Sequence, residues 1–245
     1  MDAQIDKLIT AFVDQYGLSR GQIISEIEKT FSSMLSRWHK MHVIALFCED
    51  ELQAVGYSKI NGVIQQHEIE ITAMRGWNTI KKILAGNLNK SVCIQESISC
   101  KSHEHEMRWG EILKKRENGL LVEIEIDSEN TILAECPFKR IGVHERLTDA
   151  FNPGEKRAFH LRRIEPVWLN GTPRLRVVVD RESKRLVEAL FREQMKKQSG
   201  FEIRCTRRFV GKKSFLVANR FVPKKMIMAV SHELREHIQV QVDKG

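Results

Sequence analysis

The chain has 245 residues, 42% hydrophobic and 29% charged, with a formal net charge of +8, a balance that allows two or three small domains with real apolar cores. No stretch approaches the roughly 20 apolar residues of a membrane span, and the acidic, polar start does not read as a signal peptide. Five scattered cysteines, Cys48, Cys93, Cys100, Cys136 and Cys205, fit reduced cytoplasmic thiols better than a disulfide framework.

Ile5, Leu8, Ile9, Phe12, Val13 and Tyr16 recur at helical spacing, and Gly17 closes that helix. Ser19, with Gln22 three residues on, forms a capping box for a second helix. Its apolar stripe is Ile23, Ile24, Ile27, Phe31, Met34, Leu35 and Trp38, with Trp38 read as core. The dense apolar run at 43–48 predicts a buried strand. Residues 52–57 and 64–71 predict two more, and a helix over 79–100 closes an α+β domain spanning residues 1–104.

From Met107 the pattern changes to short strands at 108–113, 120–126, 131–136, 156–165 and 174–179. Turn signals at Asn118-Gly119, Asn152-Pro153-Gly154 and Asn170-Gly171-Thr172-Pro173 separate several of them. Leu120, Val122, Ile124 and Ile126 alternate with a mostly polar face. Five strands in this length predict a small closed barrel of the OB type over residues 105–182. Trp109, Trp168, Phe151 and Phe159 fall on or beside its strands. Phe159 reads as core, whereas Trp168, at a loop tip, reads equally as a packing or a stacking residue.

The third region, residues 183–245, reads as helix, strand, strand, helix, strand. Ser183 caps its first helix, which runs to Ser199-Gly200. Strands flank a turn at 210–213, and a helix over 224–235 leads into a strand at 237–242. Residues 154–245 carry 22 Lys and Arg against 10 acids, while residues 1–153 carry 18 against 22. Within 196–225 ten cations face one acid, Glu202. Clustered cations that neutralise phosphates are the main sequence-independent source of nucleic-acid affinity. Phe201, Phe209, Phe215 and Phe221 are interleaved with them and read as core residues rather than stacking groups.

Nothing marks a catalytic site. Glu123 and Glu125 share one strand face without a His or Lys partner nearby, Asp180 and Glu182 flank Arg181, and no phosphate-loop, dinucleotide or nucleophile-elbow motif occurs. Cys93, Cys100, His103 and His105 have metal-capable chemistry, but on a helix the two sulfurs would stand about 10 Å apart, too far for one zinc. The expectation is a binding protein with no catalytic residue, metal or cofactor.

Leu18-Ser19-Arg20-Gly21-Gln22-Ile23-Ile24, Trp109-Gly110-Glu111-Ile112 followed by Gly119-Leu120-Leu121-Val122-Glu123-Ile124, Phe151-Asn152-Pro153-Gly154-Glu155-Lys156-Arg157, Arg181-Glu182-Ser183 leading into 186–192, and 226–234 followed by 238–242 together carry a resemblance. In that order the chain resembles the NusA family of bacterial transcription termination and antitermination factors. The resemblance implies an α+β multidomain fold: an N-terminal domain (1–104), a ribosomal S-one-type OB barrel (105–182) and a KH-like module (183–245). It implies single-stranded RNA as ligand, RNA polymerase as partner of the N-terminal domain, a cytoplasmic setting and no membrane. Three departures stand out. A KH domain clamps the nucleic-acid backbone with a GxxG loop, and here that place holds Val222-Pro223-Lys224-Lys225. The helix that precedes the loop is missing, and the chain stops after one module.

The candidate RNA contacts are Arg162, Trp168, Arg204, Arg207, Arg208, Lys212, Lys213, Arg220, Lys224 and Lys225. The competing reading is an interaction module with a vestigial nucleic-acid surface, its basic face meeting an acidic protein. A DNA-binding regulator is the third.

Overall fold

The computed structural model describes residues 2–48, 51–60, 63–71, 77–127, 130–147, 151–195 and 200–243. These form a mixed α+β structure with six α-helices and eleven strands in three sheets. The chain divides into two compact units, Met1–Glu96 with Trp168–Arg174 and Ser97–Val167 with Leu175–Gly245. No helix among the described residues is long and apolar enough to cross a membrane.

The first unit holds α1 (Asp2–Tyr16), α2 (Arg20–His39), β1 (His42–Cys48), β2 (Glu51–Ile60), β3 (Val63–Ile69) and most of α3 (Trp77–Lys101). The chain reverses at Gly17, whose φ of +64° is open to glycine at no steric cost. The capping box then forms as its residues dictate: the Gln22 amide donates to Ser19 Oγ at 3.3 Å and the Ser19 amide to Gln22 Oε1 at 2.9 Å. Ile23, Ile27, Phe31 and Leu35 of α2 pack with Val43 and Ala45 of β1 and Ile80, Leu84 and Leu88 of α3. Each such side chain, fully buried, contributes about 1.5–3 kcal/mol.

Two expectations are corrected in this unit. Trp38 is not core: it stands exposed in the last turn of α2, past the layer of Leu35. β1 is buried on one face only, because α2 covers Val43 and Ala45 while Ile44 and Leu46 face outward.

The free edge of β1 is closed by a polar stripe of α2. The amides of Phe47, Ala45 and Val43 donate to Glu28 Oε1 at 2.9 Å, Ser32 Oγ at 2.8 Å and Ser36 Oγ at 2.9 Å. Four helical residues advance about 6 Å and two strand residues about 6.6 Å, so every fourth residue of the helix meets every second amide of the strand. An edge that would otherwise invite pairing with another strand is thereby satisfied.

The second unit contains β4 (Met107–Arg116), β5 (Gly119–Asp127), β6 (Asn130–Pro137), a 3-10 turn at Phe138–Arg140, α4 (Val143–Arg146) and most of β7 (Lys156–Leu169) and β8 (Thr172–Asp180). The five strands close into a barrel in the order β4-β5-β6-β8-β7. β6 and β8 pair in parallel, Ala134 with Val177. Ile112, Val122, Ile124, Phe159, Leu161, Val177 and Val179 fill the interior, as the alternation of β5 requires.

The unit continues with α5 (Lys184–Gln194), β9 (Ile203–Phe209), β10 (Lys213–Ala218), α6 (Lys224–Leu234) and β11 (His237–Val242). α5 ends at Gln194, earlier than its sequence suggests, and Lys196, Lys197 and Ser199 lie outside the described residues. The sheet order is β11-β10-β9, antiparallel between β9 and β10 and parallel between β10 and β11. Its inner face, Ile203, Cys205, Leu216, Ala218 and Ile238, packs with Leu186, Val187, Leu190 and Phe191 of α5 and with Val230 and Leu234 of α6. No helix occurs among residues 219–223, so β10 feeds α6 directly.

Arg181 joins the barrel to this sheet-and-helix layer. It follows β8 and is fully buried. Its Nε donates to Glu145 of α4 at 3.0 Å, its Nη1 to the Ala158 carbonyl of β7 at 2.7 Å and to Glu233 of α6 at 2.9 Å, and its Nη2 to the Glu233 carbonyl at 2.8 Å. The guanidinium also lies 5.6 and 5.7 Å from the ring centres of Phe151 and Phe159. Burial alone would push its pKa down, but Glu145 and Glu233 more than reverse that, so the charge is held. Nearby, His144 Nε2 of α4 reaches the Leu234 carbonyl at 3.1 Å. The His144 ring fills the space a side chain would need at Gly211, whose φ is +75°.

Removing one member of a buried, hydrogen-bonded charge set costs about 3–5 kcal/mol, whereas replacing the whole set by apolar groups is often neutral. Arg181→Met should therefore lower the stability of the full chain by that amount in urea unfolding, and Arg181→Met/Glu145→Leu should recover part of the loss, while Glu233 keeps the Ala158 amide and Arg157 as partners. A single variant within about 1 kcal/mol of the parent would refute the role given to Arg181.

Candidate nucleic-acid interface

The period of a strand sorts the basic residues of β9. Ile203 and Cys205 face the helices, a bulge at Thr206 shifts the register, and Arg207 and Arg208 then point to opposite faces. Arg208 is directed inward, with a side chain only 2% exposed. It donates to Glu236 Oε1 at 3.0 Å and to the Ser183 carbonyl at 2.6 Å, while Ser214 Oγ donates to the same carboxylate at 2.8 Å and the Gly211 amide at 3.2 Å. Arg208 thus ties the β9–β10 hairpin to the residue that follows α6, and it belongs to the architecture rather than to the surface.

The outer face reads as three rungs across the sheet. Phe209, Lys213 and His237 form the first, Arg207, Phe215 and Gln239 the second, Arg204, Val217 and Gln241 the third. Phe209 is 53% exposed. It meets Phe215 edge-on, ring centres 6.4 Å apart at 82°, and Lys213 Nζ lies 4.9 Å from the Phe215 ring centre. Arg207, Phe209, Phe215, Val217, Gln239 and Gln241 enclose a depression of about 250 Å³. The expectation that the four phenylalanines are core is corrected here: Phe209 and Phe221 are exposed, and Phe201 and Phe215 are half-buried.

The remaining candidate cations lie at the two ends of β10. Lys212 stands in the turn that precedes it, and Arg220, Lys224 and Lys225 follow it. Six strand residues span about 20 Å, so the outer face is bounded by cations at both ends. Arg204, Arg207, Lys212, Arg220, Lys224 and Lys225 are exposed, and none pairs with an acid among the described residues. Pro223 occupies the N-cap of α6 and supplies no side-chain cap, so Lys224 and Lys225 occupy an open helix start. Phe221, 75% exposed, stands beside Arg220.

Arg162 and Trp168 belong to β7, not to this sheet. Arg162 is half-exposed and lies 3.5 Å from Asp180 Oδ2, and Trp168 is exposed near the end of the strand. His160 Nδ1 and Asp180 Oδ2 form a buried pair at 3.0 Å. Burial pushes the Asp180 carboxyl up, but the His160 hydrogen bond and charge, the Ser183 amide and Arg162 outweigh it and hold it below the usual range. In the sheet, burial pushes the Cys205 thiol up to about 11, which leaves it protonated and unreactive at neutral pH. No group of three or more His, Cys, Asp or Glu able to hold a metal occurs among the described residues.

The outward residues of β5 and β6 present Glu123, Glu125 and Leu133, together with Glu135, which pairs with Arg116 and Arg176. The barrel's cations collect instead at the β4–β5 hairpin, where Lys114, Lys115, Arg116, Lys139 and Arg176 line an open cleft of about 1060 Å³ with Glu117 and Glu135. Sequence reading passes over this cluster because four of its five cations fall in the half whose net charge is negative. The run Lys114-Lys115-Arg116 beside a turn was the available signal. No protein-family model matches the chain, and no curated protein matches it.

The two neighbouring arginines should separate cleanly by stability. Arg208→Ala leaves Glu236 buried without its cation and should cost about 3–5 kcal/mol, while Arg207→Ala should stay within about 0.5 kcal/mol. Urea unfolding of both variants decides the matter, and equal effects would refute the inward placement of Arg208.

Proposed function

We propose that this protein is a NusA-like transcription factor that binds single-stranded RNA through the basic layer of its second unit and RNA polymerase through its first, in the cytoplasm and by binding rather than catalysis. One observation carries the RNA half: six exposed cations unpaired by any described acid, Arg204, Arg207, Lys212, Arg220, Lys224 and Lys225, on one small sheet-and-helix layer. Such a layer releases counterions when it meets a phosphate backbone. The order first-second-third-fifth-fourth of the closed barrel supports an OB-type reading. The helix-strand-strand-helix-strand order of residues 184–242, with one parallel strand pair, supports the KH-like reading. The loop Val222-Pro223-Lys224-Lys225 lacks the glycines that let phosphate approach backbone amides, so contact there is through lysine charge.

The polymerase half is supported by the first sheet. Its outward residues Ile44, Leu46 and Ile64 are exposed and share a face with Val55 and Tyr57. Adjacent exposed apolar residues of this kind mark protein-interaction surfaces.

Each phosphate contact to a single strand contributes about −0.7 to the slope of log K against log salt, so six contacts give roughly −4. Titration of the full chain with an oligouridylate should show this slope, and Lys224→Ala/Lys225→Ala should flatten it by about 1–2 with equal loss on unrelated RNA sequences. A slope near zero would remove the RNA reading. Preference for duplex DNA, or salt-dependent binding to polyglutamate equal to that for RNA, would favour the DNA or acidic-protein alternative. A separately expressed fragment of residues 1–104 should fold and retain polymerase in a nuclease-treated pull-down; an unfolded fragment, or one that leaves polymerase behind, would count against the second half.

A further inference from the structure

We infer that the open face of the β11-β10-β9 sheet is a base-stacking platform, separate from the lysine loop at the start of α6, with Phe209 as the ring on which a base of single-stranded RNA lies. The inference rests on the RNA reading above and adds where the bases go.

The outward residues of the sheet combine what single-strand binding needs. Aromatic side chains give every base a flat apolar partner, and cations beside them meet the backbone. Open sheets elsewhere bind single strands by presenting aromatics in this way. Here the inner face is closed by α5 and α6, which fixes Arg207, Phe209, Lys213 and Phe215 on the outer one. Phe215 buttresses Phe209 edge-on, so the Phe209 ring is held in place while more than half of it stays in contact with solvent. Lys213, directly across from Phe209, extends its ammonium over the Phe215 ring, and Arg207 lies directly across from Phe215, so both cations stand on the same face as the two rings. Gln239 and Gln241 line the same depression, with amide donors and acceptors suited to the edges of an unpaired base. Glu202 and Asp243 belong to the far end of the sheet, beside Arg204 and Ala218, and Glu236, near the hairpin, is buried against Arg208 on the inner side. An exposed phenylalanine braced by a half-buried one, with cations on the same face, fits an anionic polymer that carries a flat base at every unit better than an acidic peptide, whose charged side chains carry no aromatic ring.

The test compares two oligomers of equal length and charge, oligoadenylate and its abasic analogue, titrated against the full chain at one salt concentration. The parent should bind oligoadenylate at least about tenfold more tightly than the abasic oligomer, because stacking is available to only one of them. Phe209→Ala should lose about tenfold on oligoadenylate while leaving abasic affinity and salt slope unchanged, Phe209→Leu should behave like Ala, and Phe209→Trp should keep the preference. Unchanged urea midpoints would show that the fold is intact, as expected for an exposed ring. If the parent binds neither oligomer, the RNA reading itself fails. If it binds both equally, if Phe209→Ala weakens both alike, or if polyglutamate competes as well as oligoadenylate, RNA or polyanion binding stands and the stacking platform is overturned.

Discussion

The second unit depends on one buried cation. Arg181 leaves the last barrel strand, and its donors are taken up by three separate parts of the chain: Glu145 on α4, the Ala158 carbonyl on β7, Glu233 on α6. A guanidinium is suited to this because its five donors radiate in a fixed plane. It also demands partners on all sides, because a buried charge left unpaired is costly. The barrel and the following layer are therefore held in one relation, and β7 supplies Ala158 to the core of that layer. The same principle recurs in Arg208 and Glu236, which bind the hairpin to the end of α6. Two inward arginines build the frame, and the outward ones are left for a ligand.

That frame explains the distribution of surface charge. The broad outward face of β5 and β6 is acidic, whereas the outer sheet face and its two ends are basic. Because Arg181 fixes the two layers together, the proposed RNA ligand would meet an oriented field rather than two independent patches. Steering of this kind raises encounter rates and favours one direction of approach. The loop that a KH clamp would use for close backbone contact carries two lysines behind a proline, so in the proposed function contact there rests on charge rather than on backbone hydrogen bonds.

Much of this was legible in the sequence. The capping box at Ser19 and Gln22, the alternation of Leu120, Val122, Ile124 and Ile126, and the cap at Ser183 each fix a local structure by short-range chemistry. Most strands and helices of the described residues lie within a few residues of their expected spans, while α5 stops five residues short of its expected end and β7 runs four residues past its own. What failed depended on which face a residue takes. Arg207 and Arg208 look alike as a pair of cations, yet a strand sends neighbours to opposite sides, and the bulge at Thr206 decides which goes in. Phe209 and Phe221 were assigned to the core on residue type alone. Trp38 continues the apolar stripe of α2 but lies beyond the last layer that could cover it. The polar stripe Glu28, Ser32, Ser36 has helical spacing, but its use becomes visible only once β1 lies alongside. Arg181 stood in plain view between Asp180 and Glu182, and its partners are 23 to 52 residues away in sequence.

The central claim is that single-stranded RNA occupies the basic layer built on β9, β10 and α6, and lysine acetylation footprinting of the full chain tests it most directly. Mixed with an excess of oligoadenylate at low salt, Lys212, Lys213, Lys224 and Lys225 should be protected, while Lys59, Lys82 and Lys90 of the first unit should react at the rate seen without RNA. Protection spread evenly over all lysines, or confined to the first unit, would contradict the account.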